Sequence, residues 1–258
     1  MRVAVDGVYF GGGRSAPEFI KLAADSGADG VNWPLKPEWG DPGDPASWQP
    51  HAARLSDAGL QVVSLAAASQ NSAIAGEEEA FRSEIAHGME VAHVLGCRLI
   101  DCWPRMAKGA TKPASQAILA GNIEAVAEQL AGAGMAISFE FEPDTTIERY
   151  AEALDFLQPL PAVARLTADT YHINRAGDDL AASAQAMAGR LGILHISGSH
   201  RGEPGSQGDT CDHEAFVRAA CAVGYAGDLV LQYAPPPDTP ESLKRAVAFC
   251  RRILAAIA

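Results

Sequence analysis

Eight times along this sequence a short apolar run gives way to a longer segment whose apolar positions recur every three or four residues. Apolar runs of roughly four to eight residues suit strands buried on both faces, and the longer periodic segments suit helices that cover them. The strand-like runs are Met1 to Tyr9, Gly30 to Trp33, Gln61 to Ala66, Arg98 to Trp103, Ala136 to Glu142, Ala162 to Asp169, Leu191 to Ser197 and Asp228 to Tyr233. The intervening segments predict helices over 16–24, up to Ala58, then 77–95, 113–130, 146–157, 178–188, 212–222 and 240–257. Eight such units in 258 residues are the pattern of a single-domain (β/α)8 TIM barrel over residues 1–258. No linker divides the chain. A doubly wound sheet would place a phosphate-cradling glycine turn after an early strand, and Gly11-Gly12-Gly13 has neither of the usual spacings.

Charge narrows the partners. A net charge of −12 disfavours nucleic-acid backbones and anionic membranes as partners. It leaves room for a small substrate, since a local arginine can act inside an acidic protein. The five cysteines show no CxxC pair and no zinc-like spacing, which suits a reducing cytoplasm. The segment from Met1 to Asp6 reads as a strand rather than a signal peptide, and no apolar run is long enough to span a bilayer. The expectation is a cytoplasmic protein with a small-molecule substrate, no nucleic acid and no membrane. The tail from Arg245 to Arg252 is read as the last barrel helix, with contact to a second copy as its alternative.

In such barrels the chemistry sits at the C-terminal ends of the strands. Predicted strands five to eight end on Glu140, Asp169, His195 and Gln232. Side chains alternate along a strand, so Thr167 and Asp169 share a face. Four consecutive strand ends would gather two carboxylates, an imidazole and an amide. Oxygen donors with one imidazole suit a divalent ion, Mn²⁺ or Mg²⁺ first, with Zn²⁺ or Co²⁺ as alternatives. Such an ion could polarise a sugar carbonyl and stabilise an enediolate while a carboxylate moves the proton.

Phe139-Glu140-Phe141-Glu142-Pro143, Asp169-Thr170-Tyr171-His172, His195 followed by Arg201, and Pro204-Gly205-Ser206-Gln207-Gly208-Asp209 together resemble the xylose-isomerase-like TIM-barrel superfamily, which includes sugar and sugar-phosphate isomerases and epimerases. The resemblance implies metal ligands at Glu140, Asp169 and His195, with Glu140 also the proton-transfer base. It implies that His172 and Arg201 orient the substrate. Two positions depart from the family pattern. Gln232 stands where the family has a second Glu; an amide oxygen can bind a hard cation but cannot carry a proton. Gly198 stands where an acidic residue is common. Glu142 faces inward as a candidate second base.

The remaining expectations are simpler. Trp33 and Trp103 end strands two and four and would wall a sugar-sized pocket, with core packing as the alternative reading; Tyr9 and Phe10 are weighed in the same way. His200, beside Arg201, is a candidate substrate contact. His87 and His93 are read as helix surface, and His51 and His213 as solvated. The expected activity is metal-dependent isomerisation or epimerisation of a sugar or keto-polyol. The alternatives are a lyase or dehydratase acting on a keto-sugar or 3-keto glycoside, and a non-catalytic sugar-binding relative. A DNA-repair endonuclease of the same superfamily would need a larger His- and Asp-rich metal set and a basic surface, neither of which the sequence provides.

Overall fold

The computed structural model describes residues 1–41, 43–67 and 71–257. Pro42, in the Pro- and Gly-rich loop before the second predicted helix, and Ala258 lie outside them. Eight parallel strands close on themselves in sequence order: β1 Val3–Asp6, β2 Gly30–Pro34, β3 Gln61–Ala66, β4 Leu99–Cys102, β5 Ala136–Glu140, β6 Ala164–Asp169, β7 Leu191–Ile196 and β8 Leu229–Leu231. Closure pairs Val3 with Leu229 and Ala4 with Val230, so the sheet has no free edge. The helices are α1 Gly7–Phe10, α2 Ala16–Asp25, α3 Gln49–Asp57, α4 Glu78–Leu95, α5 Lys112–Gly132, α6 Tyr150–Leu157, α7 Thr170–Arg175, α8 Leu180–Ala186, α9 His213–Ala222 and α10 Thr239–Ile257. None among the described residues is long and apolar enough to cross a membrane.

Most apolar burial lies between the barrel and its helices. A smaller cluster, Ala4, Val63, Ile193 and Val230, fills the barrel interior. Above it the interior turns polar, and that change of lining creates the site.

The predicted strands run one to three residues long at several C-terminal ends, and local hydrogen bonds explain why. β1 stops at Asp6 because its carboxylate accepts the Tyr9 amide at 2.7 Å and starts the single turn of α1. Asp169 does the same for α7, accepting the Tyr171 amide at 2.7 Å. The helix predicted from Thr146 begins at Tyr150. Thr145 Oγ1 instead donates to the Glu142 and Ile147 carbonyls, holding that stretch in a turn. Asp212 caps α9, accepting the Ala215 amide at 2.9 Å. Gly96 ends α4 at φ 76°, a left-handed conformation that costs a side-chain-bearing residue free energy.

Two aromatic expectations change here. Trp33 does not wall a pocket. It takes the helix-facing side of β2, fully buried, with its ring 4.8 Å from Trp39 and 6.1 Å from Phe19. His51, expected in solvent, is buried beside Trp33, with Nε2 against the Trp39 carbonyl. We predict that Trp33→Ala lowers stability by about 3–5 kcal/mol, read from the urea midpoint. A loss below about 1 kcal/mol would contradict this packing role.

Candidate active site

Strand register brings the predicted residues together. Glu140 lies opposite Thr167, Asp169 opposite His195, and Gln232 follows β8 with its amide bonded to the Ile196 carbonyl at 3.2 Å. Asp101 lies opposite Ser138, one strand earlier. Four carboxylates, Asp6, Asp101, Glu140 and Asp169, are each 0–1% exposed in this mouth of the barrel. The guanidinium of Arg201 reaches them, donating to Asp169.

Arg201 sits in the loop after β7, at φ 59°, a conformation few residues other than glycine adopt. Its Nη1 donates to Asp169 Oδ2. Its Nη2 donates to Gln232 Oε1 at 2.9 Å and to the Tyr9 hydroxyl at 2.8 Å. The guanidinium lies 5.1 Å from the Tyr9 ring and 4.9 Å from the Tyr171 ring, so two aromatic faces hold it in place. Strain at Arg201 is offset by these contacts and by two backbone bonds, a turn bond from Arg201 N to the Gly198 carbonyl at 2.8 Å and a long-range bond from Ala234 N to the Arg201 carbonyl at 2.8 Å.

His195 Nδ1 is 3.1 Å from Glu140 Oε1, and Nε2 is 3.6 Å from Asp101 Oδ2. His172 Nε2 approaches Glu142 Oε2 at 3.0 Å, an ion-pair approach rather than an aligned hydrogen bond. Glu140 Oε2 and Gln232 Nε2 are buried with no protein partner. Burial raises Asp6 to about 6 and Asp101 to about 7. Burial also opposes a charged His195, but the Glu140 carboxylate outweighs it and raises the imidazole to about 9. For Asp169 burial is likewise outweighed, by Arg201 and then the two histidines, and its carboxyl is held below the usual range.

Ligand atoms of Glu140, Asp169 and His172 all lie within 4.8 Å of one another; the expected ligand His195 is not in that set, its Nδ1 lying 3.1 Å from Glu140 Oε1. This donor set fits a divalent cation. Buried carboxylates in excess of the available positive charge, together with an unpartnered Glu140 oxygen, are what such an ion would neutralise. Gln232 contributes an amide oxygen already engaged by Arg201, with a second lone pair left over.

Above the cluster opens a cavity of about 550 Å³, lined by Val8, Tyr9, Trp103, Arg105, Glu142, Thr145 and Arg201. Trp103 and Glu142 are thus among the residues that line a cavity. His200 is not: it is exposed, its Nδ1 accepts the Gly202 amide at 2.9 Å, and Nε2 is 3.1 Å from Ser206 Oγ, so both nitrogens serve the loop. His213, expected in solvent, is buried, with Nε2 2.7 Å from Asp209 Oδ2. Sequence reasoning missed Asp6 and Asp101. Their signal was an acid at an inward position near a strand end.

Asp209, Cys211 and His213 also cluster at ligand-like distances. Asp209 is saturated, however, accepting from the amides of Ser199, Gly205 and Cys211 as well as from His213. It latches the loop that carries Arg201. Burial opposes its charge, but the His213 bond and the three amides outweigh burial and hold its carboxyl well below the usual range.

The sequence model of the xylose isomerase-like TIM barrel family matches residues 20–253. Over 135 residues the chain is 31% identical to L-ribulose 3-epimerase of Mesorhizobium japonicum; the match covers 50% of this chain and 44% of that protein, less than half its length. The D-allulose 3-epimerase of a Methylomonas species superposes with a TM-score of 0.82 at 21% identity, covering 98% of each chain. A 3-keto-D-glucoside 4-epimerase from E. coli superposes at 0.80 with 19% identity, covering 98% of this chain and 99% of that one.

Asp209→Asn is expected to loosen the latch. Hydrogen exchange at the Ser199, Gly205 and Cys211 amides should speed up, while barrel-strand amides stay protected. The same loosening is expected in the unaltered protein as acid protonates Asp209: its folded pKa is depressed, so the stability it contributes is present above the unfolded value near 3.9 and is lost as pH falls through the folded value. Unchanged loop exchange in Asp209→Asn would remove the latch.

Proposed function

The chain belongs to the xylose isomerase-like TIM barrel family, and on that premise we propose that it is a metal-dependent isomerase or epimerase of a keto-sugar or related polyol. The observation that carries the reading is the surplus of buried carboxylate charge gathered behind Arg201, whose guanidinium bonds Asp169 and which itself lines a sugar-sized cavity. Glu140, Asp169 and His195 hold the ion, with the Gln232 amide oxygen at the fourth position. Mn²⁺ or Mg²⁺ suits these oxygen donors best, and Zn²⁺ or Co²⁺ the imidazole. When bound, the ion supplies the electrophilic pull that acidifies a carbon next to a ketone.

The protein's own groups do the rest. Glu140 takes the proton from that carbon, its Oε2 being the carboxylate oxygen without a partner. Arg201, gripped by Tyr9 and Tyr171, donates to substrate oxygens. His172, backed by Glu142, holds a hydroxyl on the other side. Trp103 offers an apolar face to the sugar ring. That relatives sharing this fold include sugar 3-epimerases and a keto-glycoside epimerase supports the substrate class.

Gln232 favours a second reading. Its amide cannot exchange a proton, so one-base elimination of water from a keto-polyol or 3-keto glycoside fits the same residues. Incubation with a panel of ketoses in D₂O separates the readings. The proposal predicts deuterium at the carbon beside the ketone and a product of unchanged formula; a product lighter by one water assigns the lyase instead, and no exchange with any ketose contradicts both.

Ion binding carries its own pH dependence. An ion that takes the His195 nitrogen must displace a proton held up to about 9. Apparent Mn²⁺ affinity is therefore expected to strengthen from about pH 7 to about pH 9 and to level off above. Titration calorimetry at several pH values reads this directly, and flat affinity would exclude His195 as a ligand.

A further inference from the structure

We propose that Asp101 is a positioning residue that fixes the ring of His195, so that Nε2 carries the proton and the Nδ1 lone pair faces Glu140 and the ion. This rests on the metal site proposed above.

Asp101 is 1% exposed and its two oxygens face Thr167 and His195, so it acts through another group rather than on substrate. Its Oδ1 is occupied by the hydroxyl of Thr167. Thr167 Oγ1 has one proton and gives it to Asp101, so the 2.7 Å bond between Ser138 and Thr167 must be donated by Ser138. The hydroxyls of β5 and β6 thus point in one direction and clamp a carboxylate on β4. The start of this relay is itself packed tight: a Cβ at Gly192 would come within 2.6 Å of Ser138 Oγ.

The clamp leaves Asp101 Oδ2 aimed at a single group. It lies 3.6 Å from His195 Nε2, and neither atom has any hydrogen-bond partner. Two unmet buried polar atoms side by side are costly to leave unpaired, and a small closing of that distance joins them. The other ring nitrogen, Nδ1, faces Glu140 at 3.1 Å. Both nitrogens therefore face carboxylates, and the ion decides between them: Nδ1, on the Glu140 side, gives up its proton to bind, and the one N–H of the neutral ring stays on Nε2, toward Asp101. A carboxylate behind the imidazole also strengthens it as a donor. That matters in a site whose fourth donor, Gln232, is a neutral amide.

The test compares ion binding and the ring proton in Asp101→Leu, Asp101→Asn and Thr167→Val. Mn²⁺ affinity, measured by competition with a chelator, is expected to fall about 10–100-fold in Asp101→Leu. It should fall less in Asp101→Asn, whose amide oxygen can still accept from Nε2–H. Thr167→Val keeps every buried charge and loosens only the clamp. It serves where Asp101→Leu fails to fold, and it too should bind Mn²⁺ more weakly. In ¹⁵N-labelled protein the His195 Nε2–H should give a downfield proton resonance, present in wild type with or without the ion and absent in Asp101→Leu. Wild-type Mn²⁺ affinity in both Asp101→Asn and Thr167→Val, or a His195 proton found on Nδ1 of the zinc-loaded wild type, overturns the proposal. If the wild type takes up no ion, the metal reading falls, while the Nε2–H resonance still decides the role of Asp101.

Discussion

Taking a carboxylate out of water costs several kcal/mol even after the protein relaxes around it, and this barrel does so at Asp6, Asp101, Glu140 and Asp169 within one mouth. Such a cluster persists only where something returns the lost solvation. Asp169 has a helix amide and a guanidinium. Asp6 has a helix amide and Asp101 a threonine hydroxyl, and burial raises the carboxyl pKa of both. Glu140 has only His195 on one oxygen and nothing on the other. The unmet demand concentrates at Glu140, which the functional reading makes both ligand and base.

Holding that arrangement falls to parts of the chain far from it in sequence. Closure of the sheet fixes the strand ends to within their register, so Glu140, Asp169 and His195 need no loop to find one another. Arg201 is different: it lies in a loop, and its reach depends on the Asp209–His213 latch and on Tyr9 of α1. The rigid half of the site carries Glu140, Asp169 and His195, and the loop half carries Arg201.

The barrel was legible because eight buried strands each need a covering helix, and that need writes a repeating pattern into the sequence. The donors at strands five to eight were legible for the same reason: the end of an apolar run marks the C-terminal rim. Trp33 was harder to place because an aromatic residue at a strand end looks alike whether it faces the axis or the helices, and the face was set by pairing with Trp39 and Phe19, distant in the chain. His51 and His213 looked solvated beside helix starts, and tertiary partners buried both. Asp101 gave only a faint signal. Its partners Thr167 and His195 lie 66 and 94 residues away, and only barrel closure brings them near.

The central claim is that this surplus of buried negative charge is built around a divalent ion. Elemental analysis of the purified, untagged protein after growth with manganese tests it most directly. The account predicts close to one divalent ion per chain, retained through dialysis and lost in Asp169→Ala. Protein free of metal, with no uptake on dialysis against excess Mn²⁺, would contradict it and leave the carboxylates balanced by protons and Arg201 alone.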